Sequence, residues 1–422
     1  MMMRSELLVL AVALAACTPG ERLPTGPTPP TGDLPADEPR VRVGIVVDSG
    51  SVAVGAETAF VIRVAGGEEV ARGTAGDIWT FSADAQGRLS ARGPGGVIRP
   101  RSAALRVIPD RTDGLTISGR RYRGEALIMP RSAGRLSALN VVALEAYLLG
   151  VVPREIGRLP AAQIEATKAQ AVAARTYAIG NLGGRESLGF DFHATVMDQV
   201  YGGIADEDSI VNRAVRETAG EILTYNGSPI LAYYSSTCGG TTAAIEDSWT
   251  QREPLPYLRS VSDRIPGTDE FYCSTSNRFH WSTRWSRAQL LAVLGETLRS
   301  HTRGAVQAVG RIDDVRITDR NASERATVRL TADGREHVLR ADSVRWVLRP
   351  EPGPAILNSS LLHGLDTELG PNGVESLDVT GGGWGHAIGM CQVGAMGRAR
   401  AGHTYDEILR AYYTGVEVRR LY

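Results

Sequence analysis

At Leu139 the periodicity of this chain changes, and that change constrains what it can fold into. Before it, short β-branched runs alternate in polarity: Val41-Arg-Val-Gly-Ile-Val-Val47, Ala59-Phe-Val-Ile-Arg-Val64, Asp77-Ile-Trp-Thr-Phe81 and Leu105-Arg-Val-Ile108. Gly and Asp cluster between them. A period of two puts one face of a strand on a core, so residues 41–138 read as a β-rich N-terminal region, and they carry no catalytic constellation. After Leu139, residues 141–149 form an apolar run with Glu145, compatible with a helix, and residues 161–182 are Ala-rich with no internal Gly until Gly180. Pro160 stands just ahead, where the missing N–H of proline is an orphan anyway, and this is the strongest helix of the chain. Residues 198–203 and 230–240 read as strands entering turns, and 285–300 as a helix with Ser286 as N-cap. Residues 306–350 read as strands, and 390–401 and 405–413 as two closing helices. The predicted class is α+β: a β-rich N-terminal region, then a mixed helix/strand domain over 139–422 with a β-rich insertion at about 300–375.

The first residues constrain location. Arg4 precedes an apolar run of about ten residues that ends at Cys17. Spanning a bilayer takes about 20 apolar residues, so this run fits the core of a secretory signal. Leu14-Ala15-Ala16-Cys17 resembles the bacterial lipobox, which implies acylation of Cys17, with residues 1–17 as signal and an exported chain anchored at the periplasmic face or outer membrane. Residues 18–40 are rich in Pro, Thr and Gly and read as a tether. With 46 basic and 47 acidic residues, the chain lacks the basic excess of a nucleic-acid binder. Beyond Cys17 the cysteines are Cys238, Cys273 and Cys391. In an oxidising compartment Cys238 and Cys273 are the favoured disulfide pair, which leaves Cys391 a lone thiol.

The chemistry-bearing residues arrive in blocks. The first runs from Leu144-Glu-Ala-Tyr to Val-Val-Pro-Arg-Glu155, the second from Ala166-Thr-Lys-Ala-Gln to Arg-Thr-Tyr-Ala178. Then come Gln199-Val-Tyr201, Tyr234-Ser-Ser-Thr-Cys-Gly-Gly-Thr241, Leu339-Arg-Ala-Asp-Ser-Val-Arg345 and Gly383-Trp-Gly-His-Ala-Ile-Gly-Met-Cys-Gln-Val-Gly-Ala395. In this order they resemble the SpoIID/LytB family, the stage II sporulation protein D and amidase-enhancer proteins. The resemblance implies a glycan-binding groove and a peptidoglycan lytic transglycosylase, which cuts denuded strands between N-acetylmuramic acid and N-acetylglucosamine and leaves 1,6-anhydro ends. It equally admits a non-catalytic glycan binder that recruits a cell-wall amidase. The family glutamate falls on Glu155. Ala387 and Cys391 stand where Gly and Ser are common, and Ile156-Gly157 where Met-Pro is frequent.

One glutamate suffices for such a cut. Hydrolytic glycosidases use two carboxylates, whereas here the attacking group is the sugar's own 6-hydroxyl, so one carboxyl can protonate the leaving oxygen and then accept the hydroxyl proton. The acid must then be protonated near neutrality, which burial favours. Glu145 and Glu165 are rivals, read as an orienting or capping group and as a solvated charge. Lys168 and Arg175, on one side of the predicted helix, are candidates to hold the glutamate or the acidic lactyl group. Gln199, Tyr201, Ser236, Trp384, His386 and Gln392 are further candidates for substrate contact. A Cys391–His386 thiol peptidase is the rival enzyme class, but no orienting Asn or Asp accompanies the pair. His193 stands where some sporulation members carry a zinc-binding His/Cys cluster. A lone His cannot close a four-ligand set, so neither metal nor cofactor is expected.

Overall fold

A computed structural model describes residues 36–422. The lipobox, Cys17 and most of the tether lie outside the described residues. The architecture is α+β, with the strands concentrated in the N-terminal region. Two sheets, of seven and six strands, occupy that region, and the alternating runs are their strands: Arg40–Ser49, Phe60–Val64, Ile78–Ala83 and Leu105–Pro109. Their inward residues, among them Val43, Phe60, Phe81, Leu105 and Leu115, are buried in one core.

The change of periodicity at Leu139 falls inside a strand, Leu136–Ala143, which runs directly into helix α1, Leu144–Glu155. That strand pairs antiparallel with Arg40–Ser49, and Arg40–Ser49 also takes Phe192–His193 as a parallel neighbour. The helical part is thereby stitched to the N-terminal sheet, and α1 and α2 (Ile164–Gly180) share its core. The chain continues through α3 (Ser209–Glu217), α4 (Ile245–Ser248), α5 (Arg287–His301), α6 (Asp342–Val347), α7 (Gln392–Arg400) and α8 (Tyr405–Tyr412).

Several expectations match this order. Pro160 leads through a 3-10 turn into α2. Ser286 caps α5 in a reciprocal box with Gln289. The two closing helices are α7 and α8. Others are corrected. Residues 198–203 form no strand, because their groups bond to the flanking loop and to α1. Of 230–240, only Tyr234–Ser235 is extended in a ladder, parallel to Met390–Cys391. The helix over 141–149 starts later and runs further: Pro153 sits inside its last turn, and Gly157 (φ 86°) turns the chain away after Glu155.

A second buried core contains residues between Trp281 and Val379. It joins two three-stranded sheets to α5 and α6, with residues from Trp281 onward taking part.

One buried ion pair fixes the helical part. Arg175 on α2 is fully buried, and its guanidinium grips Glu145 of α1 with two bonds of 2.7 Å. It also donates to the carbonyls of Glu221 and Val215, while Glu145 accepts from Tyr422 Oη at 2.6 Å and Gly220 N at 3.2 Å. Removing one member leaves the other charge buried and unpaired, at a cost of about 3–5 kcal/mol. Arg175→Met is therefore expected to lose about that much in urea unfolding, and adding Glu145→Leu to recover part of it; a loss below about 1 kcal/mol in the single variant would contradict this role.

Candidate functional site

Glu155 is the last residue of α1. Its Oε1 accepts the backbone N–H of Val200 at 3.0 Å. Tyr147 on α1, Tyr177 on α2 and Tyr234 in the short ladder lie close enough to feel its charge. Burial among such groups pushes the carboxyl up to about 7, and the Val200 N–H opposes that rise. The residue as a whole is half-buried. Asp198 also acts on Tyr147 and Tyr177, but its oxygens are taken by Arg185, at 2.8 and 2.9 Å, and by the N–H of His193.

Gln199 is buried and braces this corner. Tyr147 Oη donates to its Oε1 at 3.3 Å, and its Nε2 donates to Tyr234 Oη at 3.0 Å and to the Ala174 carbonyl at 3.3 Å. Its amide is thus committed to positioning two tyrosines. Tyr201 is buried, its hydroxyl donates to Asn140 Oδ1 at 2.9 Å, and its ring packs on Tyr147 with centroids 4.9 Å apart. Its ring lies in the core and its hydroxyl is used internally.

The two α2 cations also have protein partners. Arg175 has no free donor face for a lactyl group. Lys168 bridges Glu165 and Glu217, each at 2.9 Å, and lies over the Tyr405 ring. Glu165 is not merely solvated, since it also accepts the backbone N–H of Tyr405. Gln392 is buried, and its Nε2 donates to Gln170. Ser236 is half-buried, and its carbonyl accepts the N–H of Val393.

The glycine loop behaves differently. Trp384 is half-buried, with the Arg278 guanidinium 3.8 Å from its ring centre. His386 Nδ1 accepts the N–H of Ile388 at 2.9 Å, and burial lowers this imidazole to about 4, which keeps it neutral at physiological pH. Its ring belongs to a band of half-exposed aromatics that sequence spacing did not reveal. Tyr177 and Tyr233 have centroids 6.3 Å apart, Tyr233 and Trp249 5.0 Å, and Trp249 and His386 5.1 Å. The band leads from the neighbourhood of Glu155 to the glycine loop. Its members are contributed by four separated segments, and only Tyr177 and His386 fall inside blocks that drew attention.

Cys238 and Cys273 do meet, as expected, but their sulfurs are 3.6 Å apart and no bond joins them. Cys391 is no lone thiol. Its Sγ accepts the N–H of Cys238 at 3.2 Å and of Gly394 at 3.3 Å, in the same buried cluster. Cys391 and His386 thus each have other partners, which removes the basis for a thiol–imidazole dyad.

Comparison with known proteins fits this fold and site to a class. Residues 132–225, which carry Glu155, Gln199 and Tyr201, match the family described as Stage II sporulation protein. Residues 265–389, close to the bounds of the second core, match a domain of unknown function (DUF8618). The stage II sporulation protein D of Bacillus subtilis is 31% identical over 292 residues, covering 66% of this chain and 74% of that protein. An uncharacterized protein of Brachyspira hyodysenteriae is 32% identical over 313 residues, 74% of this chain and 76% of that protein. The amidase enhancer of Bacillus subtilis is 31% identical over 278 residues, which are 58% of this chain and 37% of that protein. The chain belongs to the SpoIID/LytB family.

The Glu155 environment has a thermodynamic signature. Between its ordinary value near 4.5 and its folded value near 7, the unfolded chain releases this proton while the folded chain retains it. Stability is therefore lost as pH rises through that window, and the penalty is complete above about 7. Glu155→Gln removes the penalty. It is expected to exceed the parent's unfolding free energy by up to about 3 kcal/mol near pH 8, with the difference vanishing below about pH 4; a difference independent of pH would contradict the assigned environment.

Proposed function

We propose that this chain is a peptidoglycan lytic transglycosylase with Glu155 as its single acid/base. The observation that carries the reading is the Glu155 carboxyl itself: at the end of α1, bonded to the Val200 N–H, desolvated and raised to about 7. At that value a substantial fraction is protonated at neutral pH.

In the proposed reaction Glu155 gives its proton to the glycosidic oxygen as the bond from muramic acid C1 breaks. The resulting carboxylate then takes the proton of the 6-hydroxyl as that oxygen bonds to C1. Atoms balance without water, the anhydro ring forms, and Glu155 returns to its acid form. Tyr233, Trp249 and the neutral His386 would line the strand, since aromatic faces with polar tips suit sugar rings. Trp384, half-covered by Arg278, would edge the same groove. The substrate is denuded glycan, and the leader at Cys17 would hold the enzyme at the envelope through lipid. Among the described residues, no helix is long and apolar enough to cross a membrane.

A second reading rests on the relative named amidase enhancer: the same groove would bind glycan without cutting it and bring an amidase to the wall. Product analysis separates the two. On purified denuded glycan the parent is expected to release 1,6-anhydro products and Glu155→Gln none, with activity declining as pH rises through about 7. Trp249→Ala is expected to weaken glycan binding about tenfold. Full activity in Glu155→Gln would remove the catalytic assignment; binding without cleavage by the parent, joined to stimulation of an amidase, would establish the enhancer reading.

A further inference from the structure

Cys238, Cys391 and the pair Asp263 and Cys273 come from three separate stretches of sequence, yet one ligand atom of each of the four lies within 4.8 Å of all the others. All four are buried, with Cys273, Cys391 and Asp263 at zero exposure. None takes part in the proposed cleavage. We propose that they form a closed tetrahedral site for one zinc ion.

The spacing suits a metal. Zinc holds thiolate sulfur at about 2.3 Å, so two sulfurs at tetrahedral positions stand about 3.8 Å apart. Cys238 and Cys273 sulfurs are separated by 3.6 Å, and Cys238 Sγ lies 3.9 Å from Asp263 Oδ2. A disulfide needs about 2.05 Å and uses two sulfurs, which would leave Cys391 and a buried carboxylate unexplained. Three thiols and an acid gathered away from water are costly to keep; a divalent cation makes that gathering favourable.

The surroundings support the ligands as a metal's outer partners do. The N–H groups of Cys238 and Gly394 point at Cys391 Sγ, the latter from the first turn of α7. Asp263 Oδ1 accepts from Tyr412 Oη at 2.7 Å and from Arg398 at 3.3 Å, which leaves Oδ2 for the ion. Gly394 is required by the approach, since a Cβ there would sit 2.3 Å from Asp263 Oδ2 and 2.1 Å from Tyr412 Oη. With all four positions taken by protein the site is structural. It ties the Gly239-Gly240 turn and the 263–273 loop to the start of α7, just beyond the glycine loop. The cluster is distinct from the His193 stretch, from which no zinc is expected.

The test is elemental analysis and thiol mapping on the full chain purified from its native envelope. About one zinc per chain is expected, with all three thiols unalkylated until the protein is denatured with chelator. Cys391→Ser should lose the zinc and Glu155→Gln should keep it, so this outcome is independent of the cleavage assay. Because Cys391→Ser can fail to fold, the chelated parent is also titrated with cobalt(II), which should give thiolate charge-transfer absorption. A Cys238–Cys273 disulfide in non-reducing peptide maps, or three reactive thiols without metal and no cobalt spectrum, would overturn the proposal.

Discussion

The buried pair of Arg175 and Glu145 is the constraint on which the helical part depends. A fully buried guanidinium is tolerable only when its charge and donors are met, and here α1, α3, the strand Glu221–Tyr225 and the C-terminal Tyr422 all contribute. Meeting those demands leaves α1 one position against α2. Glu155 lies ten residues after Glu145 on the same helix, about 15 Å along its axis, so pinning the start of α1 sets where the second carboxyl stands.

Those two glutamates illustrate how one helix can hold opposite chemistries. Burial acts to raise both. At Glu145 the guanidinium, Tyr422 and the Gly220 N–H outweigh burial and hold the carboxyl below its ordinary range. At Glu155 only one backbone N–H opposes burial, and the carboxyl rises. The first glutamate is a structural anion, and the second keeps its proton up to about 7. The aromatic residues from Tyr177 to His386 then extend the surroundings of Glu155 towards the glycine loop, whose position is fixed in turn by the parallel ladder between Tyr234–Ser235 and Met390–Cys391.

What was legible in the sequence follows the range of each interaction. Alternating strands, the Ala-rich α2 and the Ser286 cap of α5 are local patterns and were readable. The extension of α1 through Pro153 was not, because a proline in a last turn looks like a terminator when tertiary packing is unseen. Lys168 and Arg175 shared a helix side as expected, but their partners, Glu217 and Glu145, come from other elements. Gln199 and Tyr201 stand out through the family motif, while the contacts they make, to two tyrosines and within a core, come from tens of residues away. The aromatic band and the three-cysteine cluster are assembled wholly from distant segments. Cysteine arithmetic suggested a pair and a remainder where the fold gathers all three.

The central claim is that cleavage proceeds through the sugar's own hydroxyl with one carboxyl moving the proton. Digestion of denuded glycan in heavy-oxygen water, followed by mass spectrometry of the new ends, tests it most directly. The account predicts muramic ends that lack the elements of water and carry no heavy oxygen. Muramic ends of full hydrolytic mass bearing heavy oxygen would contradict it, because they would require an activated water and a second catalytic group.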